Sequence, residues 1–450
     1  MKQANRLCLK WVVSLLPILL LLIPASGAFT AELRLFFVIT LCAILMFCLG
    51  HVEMSIVAFA LPFAYVMAGL LELNAALSPY AGEIIWMGIA CFIMVETLQR
   101  IGLMPRIAYW IITKTGGTYR GYIFGMLILG VVLDIIAPAP QVATVVFFLT
   151  ASVCKAFQMK TGRTTAGMMF AAIFGCNSAQ LFIYMPVQQG VALGLVGEQI
   201  TWMGYLLSNI VFLPLLILLG VLLCRLLPPD EEFSGKAYFQ AKLREMGPMS
   251  RDEKAAGIIL ILFVVFMLTQ SLTGFTMYYG FLAVPVLLFV TGTAKREDVG
   301  RVNIGLLLFI GGCMCIGSAA SAVGAGTFIA NALLPLLSGM NSYCFTFFSY
   351  VLGVIVNFLL TPMAAMTALS QPLADIAAAL GVSAKATLLA FCAGLEQYAL
   401  PYEIGALTTA FALGCITMKD FLKVGLAKMA LVTVFMLVIV IPYWMLIGMV

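Results

Sequence analysis

Residues Gly130 to Thr144 read GVVLDIIAPAPQVAT, in the middle of an apolar run that extends from Gly121 to Phe157. The run is too long for one crossing by a helix of about 20 residues, and Pro138 and Pro140 interrupt it too early for two. Proline removes a backbone donor and frees the carbonyl one turn earlier. In hydrocarbon such a carbonyl is tolerated only where protein, water or an ion satisfies it. The stretch therefore predicts a re-entrant hairpin whose tip lies at Pro140 and lines a site. Asp134, just before the break, either contacts a cation there or faces a basic partner at the hairpin's base.

The rest of the 450 residues agrees with a lipid setting: 63% are hydrophobic and 10% charged, against about 25% charged in soluble domains. Mean hydropathy is +1.12. Disordered, collagenous and nucleic-acid-binding classes are excluded, so no nucleic-acid partner is expected. Apolar stretches run on without period-two alternation, which argues for helices over a β-barrel. His51 is the only histidine and no CxxC pair occurs among the 12 cysteines, so zinc and Ser-His-Asp chemistry lack their parts. No GxxxxGK[ST] loop supports ATP-driven transport. Lys2, Arg6 and Lys10 precede the apolar Trp11 to Leu22; the segment reads as an uncleaved first helix or as a signal peptide cut near PASGA, and the helix is preferred. Arg225 to Lys254 holds 12 charged residues and reads as a cytoplasmic linker.

Breaks placed alike in two halves are the mark of a transporter built from repeats. Sliding the chain by 222 residues lays Pro140 over Pro362 and Ile101–Gly102 over Val323–Gly324. With a slide of 215, MPVQQG (185–190) lies over LPYEIG (400–405). An odd number of crossings in each copy would invert the second. The expected fold is an all-α polytopic membrane protein of the cytoplasmic (inner) membrane. It has two inverted repeats with re-entrant hairpins and broken helices, plus an extra N-terminal helix. The boundaries are 1–30 for that helix, 31–227 for the first repeat, 228–254 for the linker and 255–450 for the second repeat, with about 11 spanning helices in all.

Candidate site residues gather at the breaks. Asn177, Ser178 and Gln180 of GCNSAQ precede Pro186 and Gln188, a dense polar set in an apolar span that either binds substrate or holds helices together. Glu396 and Glu403 flank Pro401 in the matching position of the second half. A carboxylate at mid-depth needs a partner, a proton or a water-filled cavity. Gln188 lies over Glu403, which marks one ionisable position suited to proton or cation coupling, or else an interfacial Glu near a helix end. Glu96 and Arg100 stand four apart and read as a structural pair. His51 and Glu53 read as a solvated turn.

At TLQRIGLMPRIAYWI (97–111), LLLFIGGCMCIG (306–317) and LPYEIGALTTAFALGCITMKDFLKVG (400–425) the chain resembles the divalent anion:sodium symporter family, over residues 34 to 450. The resemblance implies a homodimer in the lipid bilayer, with scaffold helices and a transport domain that moves like an elevator. The implied partner is a small organic anion, a di- or tricarboxylate, held at the hairpin tips. Sodium-coupled members carry Ser-Asn-Thr at each tip. Here the tips read PQVAT, with Pro140, Gln141 and Thr144, and TPMAAMT, with Thr361, Pro362 and Thr367. Both lack the triplet, which puts sodium coupling in doubt. No cofactor is expected, and sodium or a proton is the candidate coupling ion. A proton-coupled carrier or exporter using Glu403 is the alternative, and a non-transporting intramembrane enzyme or scaffold is the second.

Overall fold

The structure is a computed structural model that describes residues 2–27, 29–49, 51–139, 141–186, 188–337, 339–358 and 360–450. Helices account for the regular structure of the described residues, and an isolated bridge joins Thr118 to Ser234. Among the described residues, five apolar helices are long enough to cross a bilayer: Leu73–Arg100, Tyr119–Ile136, Trp202–Leu226, Ile304–Val323 and Met418–Leu446. Shorter apolar helices, among them Ser55–Met67 and Met277–Val290, lie between them. The described chain is that of an all-α, multi-pass membrane protein.

The helices recur in order. Ala31–Leu49, Met54–Met67, Glu83–Arg100, Leu103–Lys114, Tyr119–Ile136, Gln141–Ala156, Arg163–Ser178 and Gln189–Leu195 lead to Trp202–Leu226. From Arg251 the series is Arg251–Thr273, Met277–Val290, Ile304–Val323, Ala325–Leu337, Ser342–Asn357, Pro362–Ala379, Ala384–Leu395 and Gly405–Ala412, leading to Met418–Leu446. Pro62 and Pro285 each stand ninth in a 14-residue helix. Gly102 and Gly324, overlaid by the slide of 222, both join two helices at positive φ, +85° and +71°. Only glycine takes that conformation without strain.

Packing is reciprocal as well. Met54–Met67 packs on Ile304–Val323, while Glu83–Arg100 packs on Met277–Val290. Tyr119–Ile136 lies on Arg163–Ser178, as Ser342–Asn357 lies on Ala384–Leu395. Glycines let both of these pairs approach closely: a Cβ on Gly130 would stand 2.0 Å from the carbonyl carbon of Gly175, and one on Gly394 would stand 2.1 Å from the Tyr350 oxygen. The apolar core divides too. Leu33, Phe36, Tyr65, Phe309 and Cys313 belong to one cluster, and a larger one gathers Phe147, Phe170, Tyr205, Phe391 and Trp444.

The charged linker is folded against the protein. It contains the helix Lys236–Glu245, whose Phe239 is buried between Tyr109, Tyr122 and Phe233. Asp230 caps the helix Arg163–Ser178, accepting from the N–H groups of Arg163 and Thr164 at 2.8 and 3.0 Å and from the Thr164 hydroxyl at 2.6 Å. Burial alone would raise its carboxyl, but these donors outweigh that and lower it to about 2. Ser250 caps Arg251–Thr273, its hydroxyl accepting from the Glu253 N–H, while the Glu253 carboxylate accepts from the Ser250 N–H and pairs with Arg106 at 2.6 Å. Glu96 and Arg100 do not pair as the spacing suggests. Arg100 binds Asp298 at 2.7 Å and the Thr293 carbonyl, and Glu96 faces Arg301 at 3.9 Å. Asp298 is fully buried and presents both oxygens to the guanidinium, a fork-on-fork fit unavailable to Glu96.

Candidate substrate and ion site

Two proline breaks separate paired helical legs. The first comes after Ile136, where Ala137, Pro138 and Ala139 leave the helix before Gln141–Ala156 begins. The second follows Asn357, and Thr361 then caps Pro362–Ala379 by accepting from the Ala364 N–H at 3.4 Å. Two further helices unwind: Arg163–Ser178 resumes only at Gln189, and Ala384–Leu395 only at Gly405. The parts cross over. Gln141–Ala156 packs on Gly405–Ala412, and Pro362–Ala379 packs on Gln189–Leu195.

A cavity of about 470 Å³ lies where they meet, lined by Thr144, Gln188, Thr361, Pro362, Glu403 and Gly405. Glu53, Ser55, Asn303 and Phe309 close its other wall, so Glu53 borders a cavity as well as a turn. Thr144 and Thr361 stand at or near the N-termini of the two second legs, where peptide dipoles favour negative charge. Among the described residues, no Lys or Arg lines this cavity. A larger cavity, about 560 Å³ between Glu83, Tyr184, Glu198, Gln270 and Tyr278, touches neither proline break nor any residue singled out from sequence. The smaller cavity is the candidate because the second proline break, both unwound segments and, through Thr144, the first turn of the helix after the first break line it.

Behind it lies a buried polar centre. Glu403 is 2% exposed, and both of its oxygens are occupied. Oε1 accepts from the Leu400 N–H at 3.0 Å, and Oε2 accepts from Asn357 Nδ2 at 3.0 Å and from the Ala399 N–H at 3.2 Å. Glu396 accepts from the Tyr398 hydroxyl at 2.7 Å on one oxygen, while its other oxygen is buried without a hydrogen bond. Gln188 lies beside Glu396, and Asp134, also 2% exposed and with an unpartnered Oδ2, is close enough for the Glu396 charge to act on it. Lys428, from Met418–Phe435, donates to the Glu396 carbonyl at 2.8 Å and lies over the rings of Phe174 and Tyr398.

Of the residues singled out from sequence, the cavity brings together Thr144, Gln188, Thr361, Pro362 and Glu403. Glu396 lies deeper. Asn177 Nδ2 and Ser178 Oγ are buried without partners at the end of their helix, and Pro186 and Pro401 sit buried within the two unwound segments. Thr367 turns its hydroxyl back to the Met363 and Ala364 carbonyls of its own helix and does not line the cavity. Pro140 lies outside the described residues, as does the side chain of Gln141. Sequence reasoning missed Lys428 and Asn357. Lys428 had a plain signal, being the one charge between Lys423 and the C-terminus of an apolar helix.

A family model for the sodium:sulfate symporter transmembrane region matches residues 3–450. The chain is 24% identical over 258 residues to the putative malate transporter YflS of Bacillus subtilis, covering 54% of each protein. It is 24% identical over 271 residues to inner membrane protein YbhI of Escherichia coli, covering 57% of each. Over 212 residues it is 24% identical to the chloroplastic dicarboxylate transporter 2.1 of Arabidopsis thaliana, 42% of this chain and 37% of that one. The chain thus spans about half the length, or less, of these curated relatives.

Proposed function

Since the chain belongs to the family of the sodium:sulfate symporter transmembrane region, we propose that it is a membrane transporter that carries a small organic anion of the di- or tricarboxylate type by secondary active transport. The observation that carries this reading is the cavity lined by the second proline break, by both unwound segments and by Thr144 of the helix that follows the first break. Helix N-termini and the hydroxyls of Thr144 and Thr361 suit a carboxylate at each end of the cavity, and about 470 Å³ accommodates a four- to six-carbon acid. Glu403 does not oppose such an anion directly, because its oxygens are turned to Ala399, Leu400 and Asn357, with Lys428 nearby as counter-charge. Two relatives bear the names of malate and dicarboxylate transporters, in keeping with this substrate class.

The recurring helix order and reciprocal packing support two repeats, inverted with respect to each other, whose proline breaks form re-entrant hairpins entering from opposite faces. The cavity lies between residues of two apolar clusters, which suits a scaffold and a moving body that carries the site past it, in a homodimer. Neither the sequence nor the described residues bring together a catalytic nucleophile and base, and the reading is that of a carrier.

Thermal unfolding of the purified protein with malate, succinate, citrate, sulfate or acetate tests the reading. A ligand stabilises the state that binds it. Di- or tricarboxylates should raise the midpoint and acetate should not. Stabilisation by sulfate alone would replace the substrate class.

A further inference from the structure

The buried centre behind the cavity holds three carboxyl groups, Asp134, Glu396 and Glu403, and one ammonium, Lys428. Glu403 accepts three N–H donors across its two oxygens, an arrangement that favours its ionised form. Lys428 balances one negative charge. With Asp134 and Glu396 both ionised as well, the centre would hold two uncompensated charges away from water, which a membrane protein does not sustain. The two carboxyls with spare capacity are Asp134 and Glu396: Asp134 Oδ2 and Glu396 Oε1 are buried without a well-formed hydrogen bond, the Gln188 side chain lies against Glu396, and the two acids are close enough for the charge of one to act on the other.

Other groups do not fill the deficit. Cys176, Cys392, Tyr205 and Tyr398 surround the pair, and as thiols and phenols they bring no positive charge. From Arg163–Ser178 the face turned to Lys428 is the Phe174 ring, and from the unwound segment it is Tyr398. A metal ion is poorly served. The unwound carbonyl of Glu396, a natural cation ligand, already accepts from Lys428, and the described residues contain no group of three His, Cys, Asp or Glu able to hold one.

We propose that Asp134 and Glu396, one from each half of the chain, form a proton-binding pair with Lys428 as its fixed counter-charge, and that anion uptake is coupled to proton movement through this pair. An O–H bond forms on one of the two carboxyls with a proton taken from water on one side, and breaks to release that proton on the other. No bond in the substrate changes. The pair stands apart from Glu403, which borders the cavity and which sequence alone would favour. The proposal rests on the reading of the chain as an organic-anion carrier.

The test uses the full chain in proteoliposomes with a pH dye inside. Exchange of labelled for unlabelled malate at equal pH needs no net proton movement and decides the carrier reading by itself; its absence would overturn that reading and the coupling with it. Where exchange occurs, an inward malate gradient should acidify the lumen in step with uptake. The ratio of uptake at pH 6 to uptake at pH 8 outside, about tenfold for one titrating group over this range, should fall to about one in Glu396→Gln and in Asp134→Asn. Uptake without acidification, or a pH ratio unchanged in both variants, would overturn the pair. Sodium entering in place of protons would do the same and would make the centre a sodium site. Should neither variant elute as a folded protein, the acidification measured with the native chain decides.

Discussion

Replacing Lys428 with methionine removes the one positive charge of the buried centre and keeps most of its volume. The ammonium donates to the Glu396 carbonyl at 2.8 Å and serves as counter-charge to Glu396 and Glu403. A hydrogen bond from a charged donor contributes about 1.5–3 kcal/mol, and stranding a buried partner of opposite sign costs about 3–5 kcal/mol. The two overlap, because the same ammonium supplies both, so the expected loss is about 3–5 kcal/mol. Glu396→Gln in the same chain removes one of the stranded charges. A double-mutant cycle should then return a coupling of about 1–3 kcal/mol, since groups in one charge network are not additive. Equilibrium unfolding in mixed micelles at neutral pH measures all four corners. The deficit of Lys428→Met should shrink in acid, where a protonated carboxyl needs no counter-charge. A loss under about 1 kcal/mol with no coupling would mean that Lys428 reaches water or lipid headgroups, and the charge argument for the Asp134–Glu396 pair would fail.

Other outcomes follow from separate parts of the structure. Gly130→Val or Gly394→Val should force the crossing helices apart and destabilise by about 1–3 kcal/mol or prevent folding, whereas the same change at Gly257, where a Cβ meets nothing within 4 Å, should cost little; equal melting temperatures would refute the close crossings. Asp230→Ala removes a helix cap and should cost about 1 kcal/mol at neutral pH. Because the Asp230 carboxyl is lowered to about 2, its contribution is present above the ordinary value of about 4 and fades as pH falls toward 2, so native and variant chains should converge in stability over that window. Thr361→Ala should weaken dicarboxylate binding about tenfold, the loss of one hydrogen bond to a charged group, with calorimetry as the check and unchanged affinity as the contrary result. With Ser-Asn-Thr missing from both breaks, replacing sodium by choline should change uptake little; a steep sodium dependence with a Hill slope above one would refute this and mean that carbonyls rebuild the sodium sites.

Much of the architecture could be read from sequence because proline and glycine leave position-specific marks. The slide of 222 that overlays Pro140 on Pro362 also overlays Gly102 on Gly324, and the structure gives both glycines the same left-handed joint. That slide also hid part of the site. It lays Asp134 over Val356, one residue short of Asn357, and one residue on a helix turns a side chain by about 100°. The Gly130–Gly175 and Gly353–Gly394 crossings set the register that the prolines do not: Asp134 and Asn357 each follow their glycine by four, and Asn177 and Glu396 each follow theirs by two. In that register each half holds one acid and one amide, with their places exchanged. Glu403 stood out because it flanks Pro401 and overlays Gln188. That its oxygens are taken up by Ala399, Leu400 and Asn357 depends on how the unwound segment folds back, which no spacing rule reveals.

The central claim is that a dicarboxylate binds where the two proline breaks and the two unwound helices meet. An experimental density map of the protein in lipid nanodiscs with saturating malate tests it most directly. The account predicts density for the acid in the cavity between Thr144, Gln188 and Thr361, with a carboxylate at the N-terminus of Pro362–Ala379. Malate resting instead in the larger cavity between Tyr184, Glu198 and Gln270, with the space between the breaks filled by side chains or lipid, would contradict it.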